Sequence, residues 1–366
     1  MKNNRILIIT SEFPPLPGGI GNHAFNLAKH LALNGFEVTI LTDERSKEED
    51  HEFDKTLEFN VVRIPISKPR LFMYFKRIRR AKQLSREVDV VLASGKFSLW
   101  LGAIIKKNTD AKLMAVIHGT EVNFKSLFLR TSIDRSLIRF DKVIAVSNFT
   151  KNLVKHLQLK SVVFIPNGFD AEDWEINQVD KNVLKGSPKL ITVGNITERK
   201  GQINVINHLP KLLSKFPNIH YHCLGLPTQK EEFLNRAKEL GVEDHITFRG
   251  RVAHSQLVNY LNDADIFIML SQMTKSGDVE GFGIAIIEAN YLGIPAIGSV
   301  NCGIEDAIDT NNSGLLIDPK DGLALTQAIE TILNERIRFQ KGARQWAEQH
   351  QWRNVIKMYI TEIESM

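Results

Sequence analysis

Cysteine is nearly absent: Cys223 and Cys302 are the only two in 366 residues. They exclude a disulfide-framed secreted domain, and without a C-x-x-C spacing they offer no thiolate metal site, so a reducing compartment is expected. Long apolar runs are missing as well, since no stretch reaches the ~18 residues of a membrane helix. The run Ile6-Leu7-Ile8-Ile9 is too short for a signal-peptide core and leads into Ser11-Glu12-Phe13-Pro14-Pro15 without a small-residue cleavage site. It reads as a first buried strand. No low-complexity tract and no short-period repeat occur.

What is present has the balance of a globular protein, with 43% hydrophobic and 24% charged residues. A length of 366 suggests two domains. The net charge of +5 is uneven: residues 1–170 carry 27 lysines and arginines against 17 acids, and residues 171–366 carry 20 against 25. A basic first half points to an anionic partner there.

Short apolar runs alternate with amphipathic stretches. Strands are expected at 5–10, 37–42, 60–64, 89–93, 112–117, 142–146 and 162–165, with helical stretches between most of them. The first helix places Ile20, Ala24, Leu27, Ala28 and Leu31 at helical spacing before Gly35. The pattern weakens over 171–188, which reads as a linker, and restarts with strands at 189–193, 219–224, 246–248, 265–269, 295–298 and 315–317. Strands rich in Val and Ile, separated by helices, predict parallel sheets buried on both faces. The fold class is α/β, two doubly wound domains at 1–170 and 189–349. Ligands in such sheets bind at the carboxyl ends of the strands, and the cleft between two such edges is the default site.

Five clusters stand out. The first is Gly277-Asp278-Val279-Glu280-Gly281-Phe282-Gly283-Ile284-Ala285-Ile286-Ile287-Glu288-Ala289, a polar loop entering an apolar helix. Glycines beside Glu280 let backbone amides approach a ligand, and a helix start favours phosphate. Glu288, set among isoleucines, is costly unless something hydrogen-bonds it; a structural glutamate is the alternative. The second is Arg199-Lys200-Gly201, after the first strand of the second half. Cations at a helix start oppose its dipole, and an anionic diphosphate gives them a reason to be there; a solvated surface pair is the alternative. The third, Gly18-Gly19-Ile20-Gly21, lacks the full G-x-G-x-x-G fingerprint, and Asp43 is the sole candidate ribose anchor, which speaks against a nicotinamide enzyme. The fourth is His118-Gly119-Thr120-Glu121 at a strand end, where an imidazole can meet a substrate hydroxyl or serve the fold. The fifth, residues 68–82, carries seven cations around Leu71, Phe72, Met73, Tyr74, Phe75 and Ile78. Arg70, Lys76, Arg77, Arg79 and Arg80 are its candidate contacts to an anionic membrane surface or acceptor. No nucleic-acid motif accompanies them, and a solvated amphipathic helix is the alternative.

The Glu-x7-Glu spacing of Glu280 and Glu288, Arg199-Lys200-Gly201, Gly18-Gly19, His118-Gly119 and Pro166-Asn167-Gly168-Phe169-Asp170 resemble retaining glycosyltransferases of family 4, with the GT-B fold of two Rossmann-like domains facing across a cleft. The resemblance spans nearly the whole chain and extends to bacterial mannosyl and hexosyl transferases of polysaccharide or glycolipid assembly. It implies an acceptor domain in the first half, a donor domain in the second, and a last helix within 350–366 that crosses back. By similarity Glu288 accepts ribose hydroxyls. Glu280 holds hydroxyls of the transferred sugar near the amides of Gly281, Phe282, Gly283 and Ile284. Arg199 and Lys200 neutralise the diphosphate, Gly18 and Gly19 approach it, His118 touches the sugar, and Arg251 and Val252 meet the base. Asn195 stands where many members have arginine, which shifts charge stabilisation onto Arg199 and Lys200. The long loop before Glu280 is similar to that of mannosyltransferases acting on lipids and tilts the donor toward GDP-mannose over a UDP-sugar.

The resemblance further implies front-face displacement with retention. No Asp-x-Asp motif suited to hold a divalent ion beside the phosphates is found, so neither metal nor other cofactor is expected. A cytoplasmic protein, peripheral at the inner face of the membrane, with a glycan or lipid-linked acceptor and no nucleic-acid partner, completes the expectation. A nucleotide-dependent oxidoreductase and a non-catalytic nucleotide-sugar binding protein are the alternatives.

Overall fold

The computed structural model describes residues 4–16, 18–175 and 183–366; Pro17 of the glycine-rich turn and residues 176–182 of the expected linker lie outside the described residues. Two compact units result, one of Met1–Gly168 with Trp352–Met366, the other of Phe169–Gln351.

The first unit holds strands β1 (Arg5–Thr10), β2 (Glu37–Glu44), β3 (Asn60–Pro65), β4 (Val90–Ser94), β5 (Lys112–Ile117), β6 (Lys142–Ala145) and β7 (Val162–Phe164). They form one sheet in the order β3-β2-β1-β4-β5-β6-β7, and every pair is parallel. Residues 6–8, 90–92 and 113–116 have essentially no solvent exposure. Burial on both faces explains why these strands read as continuous apolar runs and not as alternating ones. Each fully buried aliphatic side chain contributes about 1.5–3 kcal/mol.

The chain's last helix, Trp352–Glu364, belongs to this unit. Trp352 stacks on His30 at 5.6 Å and packs against His23 at 5.5 Å. The Tyr359 hydroxyl and His23 Nε2 are 3.1 Å apart, and Lys142 Nζ donates to the Glu362 carboxylate at 2.5 Å.

The second unit holds β8 (Lys189–Val193), β9 (His220–Leu224), β10 (Ile246–Gly250), β11 (Ile266–Met269), β12 (Ala296–Ser299) and β13 (Gly314–Ile317), again all parallel, in the order β10-β9-β8-β11-β12-β13. In both sheets the strand order reverses beside the first strand, between β1 and β4 and between β8 and β11. Loops leaving the two strands on either side of such a point diverge and leave a crevice at the carboxyl edge. Helices Lys47–Asp54 and Arg336–Gln349 go beyond the sequence reading. The latter is polar overall and buries only a narrow seam, Phe339, Ala343 and Ala347, four residues apart.

At the start of β9, His220 and His222 lie 4.6 Å apart between ring centroids. Their Nε2 atoms meet Thr247 Oγ1 at 2.8 Å and the Lys185 carbonyl at 3.0 Å. Burial, with Arg249 adding to it in both cases, lowers each imidazole to about 4 from an ordinary 6.5. The unfolded chain therefore binds these protons more readily between those values, so the pair's contribution is complete above pH 6.5 and is lost as pH falls toward 4. The double variant His220→Gln/His222→Gln is expected to lose less thermal stability than the wild type between pH 7.5 and 5, read from unfolding midpoints. Equal losses in the two proteins would contradict this.

Candidate active site

In the second unit, chemistry gathers where β8 and β11 end side by side. β8 ends at Val193 and leads through Gly194 and the exposed Asn195 into a single 3-10 turn, Glu198–Lys200, and then the helix Gln202–Lys215. That turn is tied to the end of β11. Ser271 Oγ donates to the Arg199 carbonyl, the Gln272 amide donates to the same oxygen at 3.2 Å, and Asn204 Nδ2 donates to the Leu270 carbonyl at 2.8 Å. Gly201 has φ +77, and a Cβ there would lie 1.8 Å from the Leu270 oxygen, so only glycine lets the turn sit this close. Arg199 and Lys200 are thus delivered to the crevice by backbone geometry.

They meet Glu280. The Lys200 ammonium is 2.9 Å from the Glu280 carboxylate, and the Arg199 guanidinium donates to the same oxygen. Arg199 also pairs through Nε with Asp278 at 3.3 Å. Glu280 is buried. Burial works to raise its carboxyl, but Lys200, Arg199 and the Gly283 amide outweigh it and hold it below the ordinary value. The loop is anchored from the far side: the Gly303 amide donates to the Glu280 carbonyl at 3.0 Å. Glu288, in the helix Ile284–Tyr291, is raised to about 7 by burial, with Lys200 pulling against it and Asp173 adding to it. It therefore changes protonation near neutral pH. Arg251 is exposed and Val252 half-buried just beyond β10.

In the first unit the corresponding edge holds neutral polar groups. His118 follows β5, and its Nε2 lies 2.9 Å from Ser94 Oγ at the end of β4. Its amide donates to Glu121 at 2.5 Å, and its ring packs edge-on against His23 at 5.0 Å. Burial lowers His118 to about 4, so it is a neutral imidazole at physiological pH. Burial also raises Glu121 to about 7, helped by Glu12 and opposed by the amides of His118 and of Glu121 itself. Gly18 and Gly19 open the helix Gly19–Leu33, and a Cβ at Gly19 would meet no atom within 4 Å.

The structure therefore brings Arg199, Lys200 and Glu280 together and seats His118 at the edge of the other sheet. Sequence reasoning gave no role to Asp278, Ser94 or Glu121. Asp278 and Glu121 lay inside quoted motifs, whereas nothing in the sequence marks Ser94, which meets His118 only because β4 and β5 are neighbours.

Two expectations change. Arg77 is not available to a membrane or an acceptor: it is buried, pairs with Asp43, and lies over the Phe97 ring at 4.5 Å. It falls on the inner face of the helix Arg70–Leu84 with Met73, Ala81 and Leu84. Arg70, Lys76 and Arg79 are exposed, and Arg80 is half-buried and donates to Gln83 at 2.7 Å. Asp43, taken up by Arg77, cannot serve as a ribose anchor. The Asp-x-Asp pair of the sequence, Asp263-Ala264-Asp265, lies before β11, at the edge of the sheet opposite the cluster. There Asp263 holds Lys189 at 2.7 Å and Asp265 holds Arg336 at 2.9 Å. Among the described residues no group of three His, Cys, Asp or Glu side chains is arranged to hold a metal ion, and no helix is long and apolar enough to cross a membrane.

Comparison with known proteins matches residues 17–173 to the model "Glycosyltransferase Family 4" and residues 174–351 to "Glycosyl transferases group 1". The chain is 27% identical, over 92% of its length and 90% of the relative's, to a GDP-mannose-dependent monoacylated alpha-(1-6)-phosphatidylinositol monomannoside mannosyltransferase of Corynebacterium glutamicum. Among solved structures, a glycosyltransferase from Rickettsia africae superimposes with a TM-score of 0.80 at 21% identity, covering 99% of this chain and 98% of that one. Anabaena HepE in complex with UDP superimposes with a TM-score of 0.79 at 18% identity, covering 99% and 100%. The two parallel-sheet units are those of the GT-B fold.

The loop that carries Glu280 has a steric test. A Cβ at Gly303 would stand 2.0 Å from the Gly281 carbonyl oxygen, so backbone must move to admit it. Gly303→Ala is expected to destabilise the protein by about 1–3 kcal/mol, the usual cost of overpacking. Denaturant unfolding checks this, and an unchanged midpoint would show that the contact does not hold the loop.

Proposed function

We propose, from the premise that this chain belongs to the glycosyltransferases that join a family 4 first half to a group 1 second half, that it moves a hexose from a nucleotide diphosphate sugar to a glycan or lipid-linked acceptor with retention at the anomeric carbon. The observation that carries this reading is the Arg199–Lys200–Glu280 cluster at the carboxyl edge of β8 and β11. Breaking a sugar–phosphate bond leaves negative charge on the diphosphate. Preorganised cations stabilise that charge without having to be moved into place, so Arg199 and Lys200 take it and no metal is required. Glu280 accepts hydroxyls of the transferred sugar. Glu288 takes the ribose, Arg251 and Val252 the base, and Asn195 a peripheral contact to the diphosphate. Gly18 and Gly19 offer amides to the phosphate, and neutral His118 meets a sugar hydroxyl. The reading has no pair of carboxylates flanking the sugar as in a glycosidase, so the acceptor attacks from the face the diphosphate leaves, and the departing phosphate takes its proton.

GDP-mannose is the favoured donor and a UDP-sugar the alternative. The Corynebacterium relative's name supports the first and the UDP complex of the Anabaena protein the second. For the acceptor side, Leu71, Phe72 and Phe75 are 77%, 65% and 66% exposed beside the exposed cations Arg70, Lys76 and Arg79. Such a face suits an anionic membrane surface, where apolar side chains insert and cations meet head groups. On this reading the protein works at the inner face of the membrane as a peripheral enzyme in polysaccharide or glycolipid synthesis.

Lys200→Ala should lower transfer by about 10²–10³-fold, the scale of losing one preorganised electrostatic partner, and lower the melting temperature because Glu280 loses a partner, with the folded far-ultraviolet circular dichroism spectrum retained at the assay temperature. Undiminished transfer would remove the cluster from the reaction. Nuclear magnetic resonance of the product's anomeric proton reads retention directly, and calorimetry with GDP and UDP decides the base. The triple variant Leu71→Glu/Phe72→Glu/Phe75→Glu should lose sedimentation with vesicles rich in anionic phospholipid; equal sedimentation would remove this face from the membrane.

A further inference from the structure

The cationic seat is already neutralised. Arg199 and Lys200 face two carboxylates, Glu280 and Asp278. Glu280 has a place in the reading above, as the acceptor of sugar hydroxyls. Asp278 has none, and a second carboxylate beside a diphosphate works against binding. It is nevertheless held in place by a closed turn. The Thr274 amide donates to the Asp278 carbonyl at 2.9 Å, the Asp278 amide donates to Thr274 Oγ1 at 3.1 Å, and the Gly277 amide donates to the Thr274 carbonyl at 3.0 Å. That turn lies in the loop between β11 and the helix Ile284–Tyr291, just before Glu280. Thr274 and Ser276 hydroxyls, 2.8 Å apart, close it further.

We propose that Asp278 is a built-in competitor of the diphosphate: it holds the Arg199 guanidinium while the seat is empty and weakens the seat's grip on the nucleoside diphosphate product. This rests on the assignment of Arg199 and Lys200 to the diphosphate. Arg199 pairs through Nε with Asp278 at 3.3 Å and donates through Nη1 to Glu280, so its planar fork is spread over two carboxylates before any ligand arrives. A diphosphate must either displace Asp278 from Nε or bind with an uncompensated negative charge beside it. The Asp278 side chain is 42% exposed, and an ion pair so exposed is modest in strength. Modest strength suits a residue that tunes release and does not lock the arginine. Release of product limits turnover in many enzymes, and a counter-charge that speeds release acts after the bond is broken, when the diphosphate carries its full charge.

The experiment is isothermal calorimetry of GDP and UDP binding to the full-length wild type, Asp278→Asn, Asp278→Glu and Lys200→Ala. Asparagine keeps the size of the side chain and the backbone turn but removes the charge. Asp278→Asn should bind the nucleoside diphosphate about three- to tenfold more tightly. The gain should shrink as ionic strength rises, because a half-exposed charge is screened. Asp278→Glu should remain within about twofold of the wild type. Damage to the fold weakens binding, so a gain in affinity cannot arise from misfolding; should the asparagine variant melt early, Asp278→Ser carries the same test. Unchanged or weaker binding in Asp278→Asn, or equal tightening in Asp278→Glu, overturns the inference while leaving the seat intact, provided that Lys200→Ala loses binding. If Lys200→Ala binds as the wild type does, the assignment of the seat itself fails, and the inference with it.

Discussion

Glu280 is a buried carboxylate that stays ionised, and the second unit is arranged around meeting that cost. A buried charge with no partner is expensive, and breaking a buried pair costs more than the pair itself contributes. Lys200 and Arg199 supply the partners, the Gly283 amide supplies a further donor, and the Gly303 amide fixes the backbone from behind. Those cations are placed by a turn that can exist only because Gly201 admits the Leu270 carbonyl at close range. Moving any one of these elements leaves a charge stranded.

The same constraint explains why the loop before the helix Ile284–Tyr291 is long and polar. A helix start offers amides alone. The chain adds a side-chain carboxylate at Glu280 and a second at Asp278, held by its own turn, so that the cations are balanced before a ligand arrives. On the proposed assignment of Arg199 and Lys200 to a diphosphate, the seat is balanced when empty and an incoming anion competes with these carboxylates. In the first unit the carboxyl edge of the sheet is chemically different. Burial keeps His118 and His23 neutral and raises Glu121 toward neutrality. Hydroxyl groups suit such a surface better than phosphates do. The surplus of positive charge in this half is spent elsewhere, on the outer face of the helix Arg70–Leu84.

Much of this was legible from residue order. Central parallel strands buried on both faces must be apolar throughout, so β1, β4, β5 and β11 announced themselves, and the remaining strands followed from the alternation with helices. Their end loops, with Gly18-Gly19, His118-Gly119, Arg199-Lys200-Gly201 and Glu280, marked the candidate site because strand ends in such sheets are where polar residues are tolerated. The helix Arg336–Gln349 was not legible, because a seam of three buried residues is too thin to stand out in a polar stretch. Arg77 misled for a related reason: in a run of seven cations nothing local says which one turns inward to Asp43.

The amino-acid sequence by itself determined the alternation of strands and helices, the two α/β units and the motifs at their edges, because hydrophobic periodicity and glycine placement act over a few residues. Only the tertiary structure decided which charges are paired. Asp278 and Glu280 lie some eighty positions from Arg199, Ser94 meets His118 only across neighbouring strands, and Asp263 and Asp265 fall at the edge of the sheet away from the cluster. Electrostatics depends on distance in space, and that distance exists only once β8 lies beside β11 and β4 beside β5.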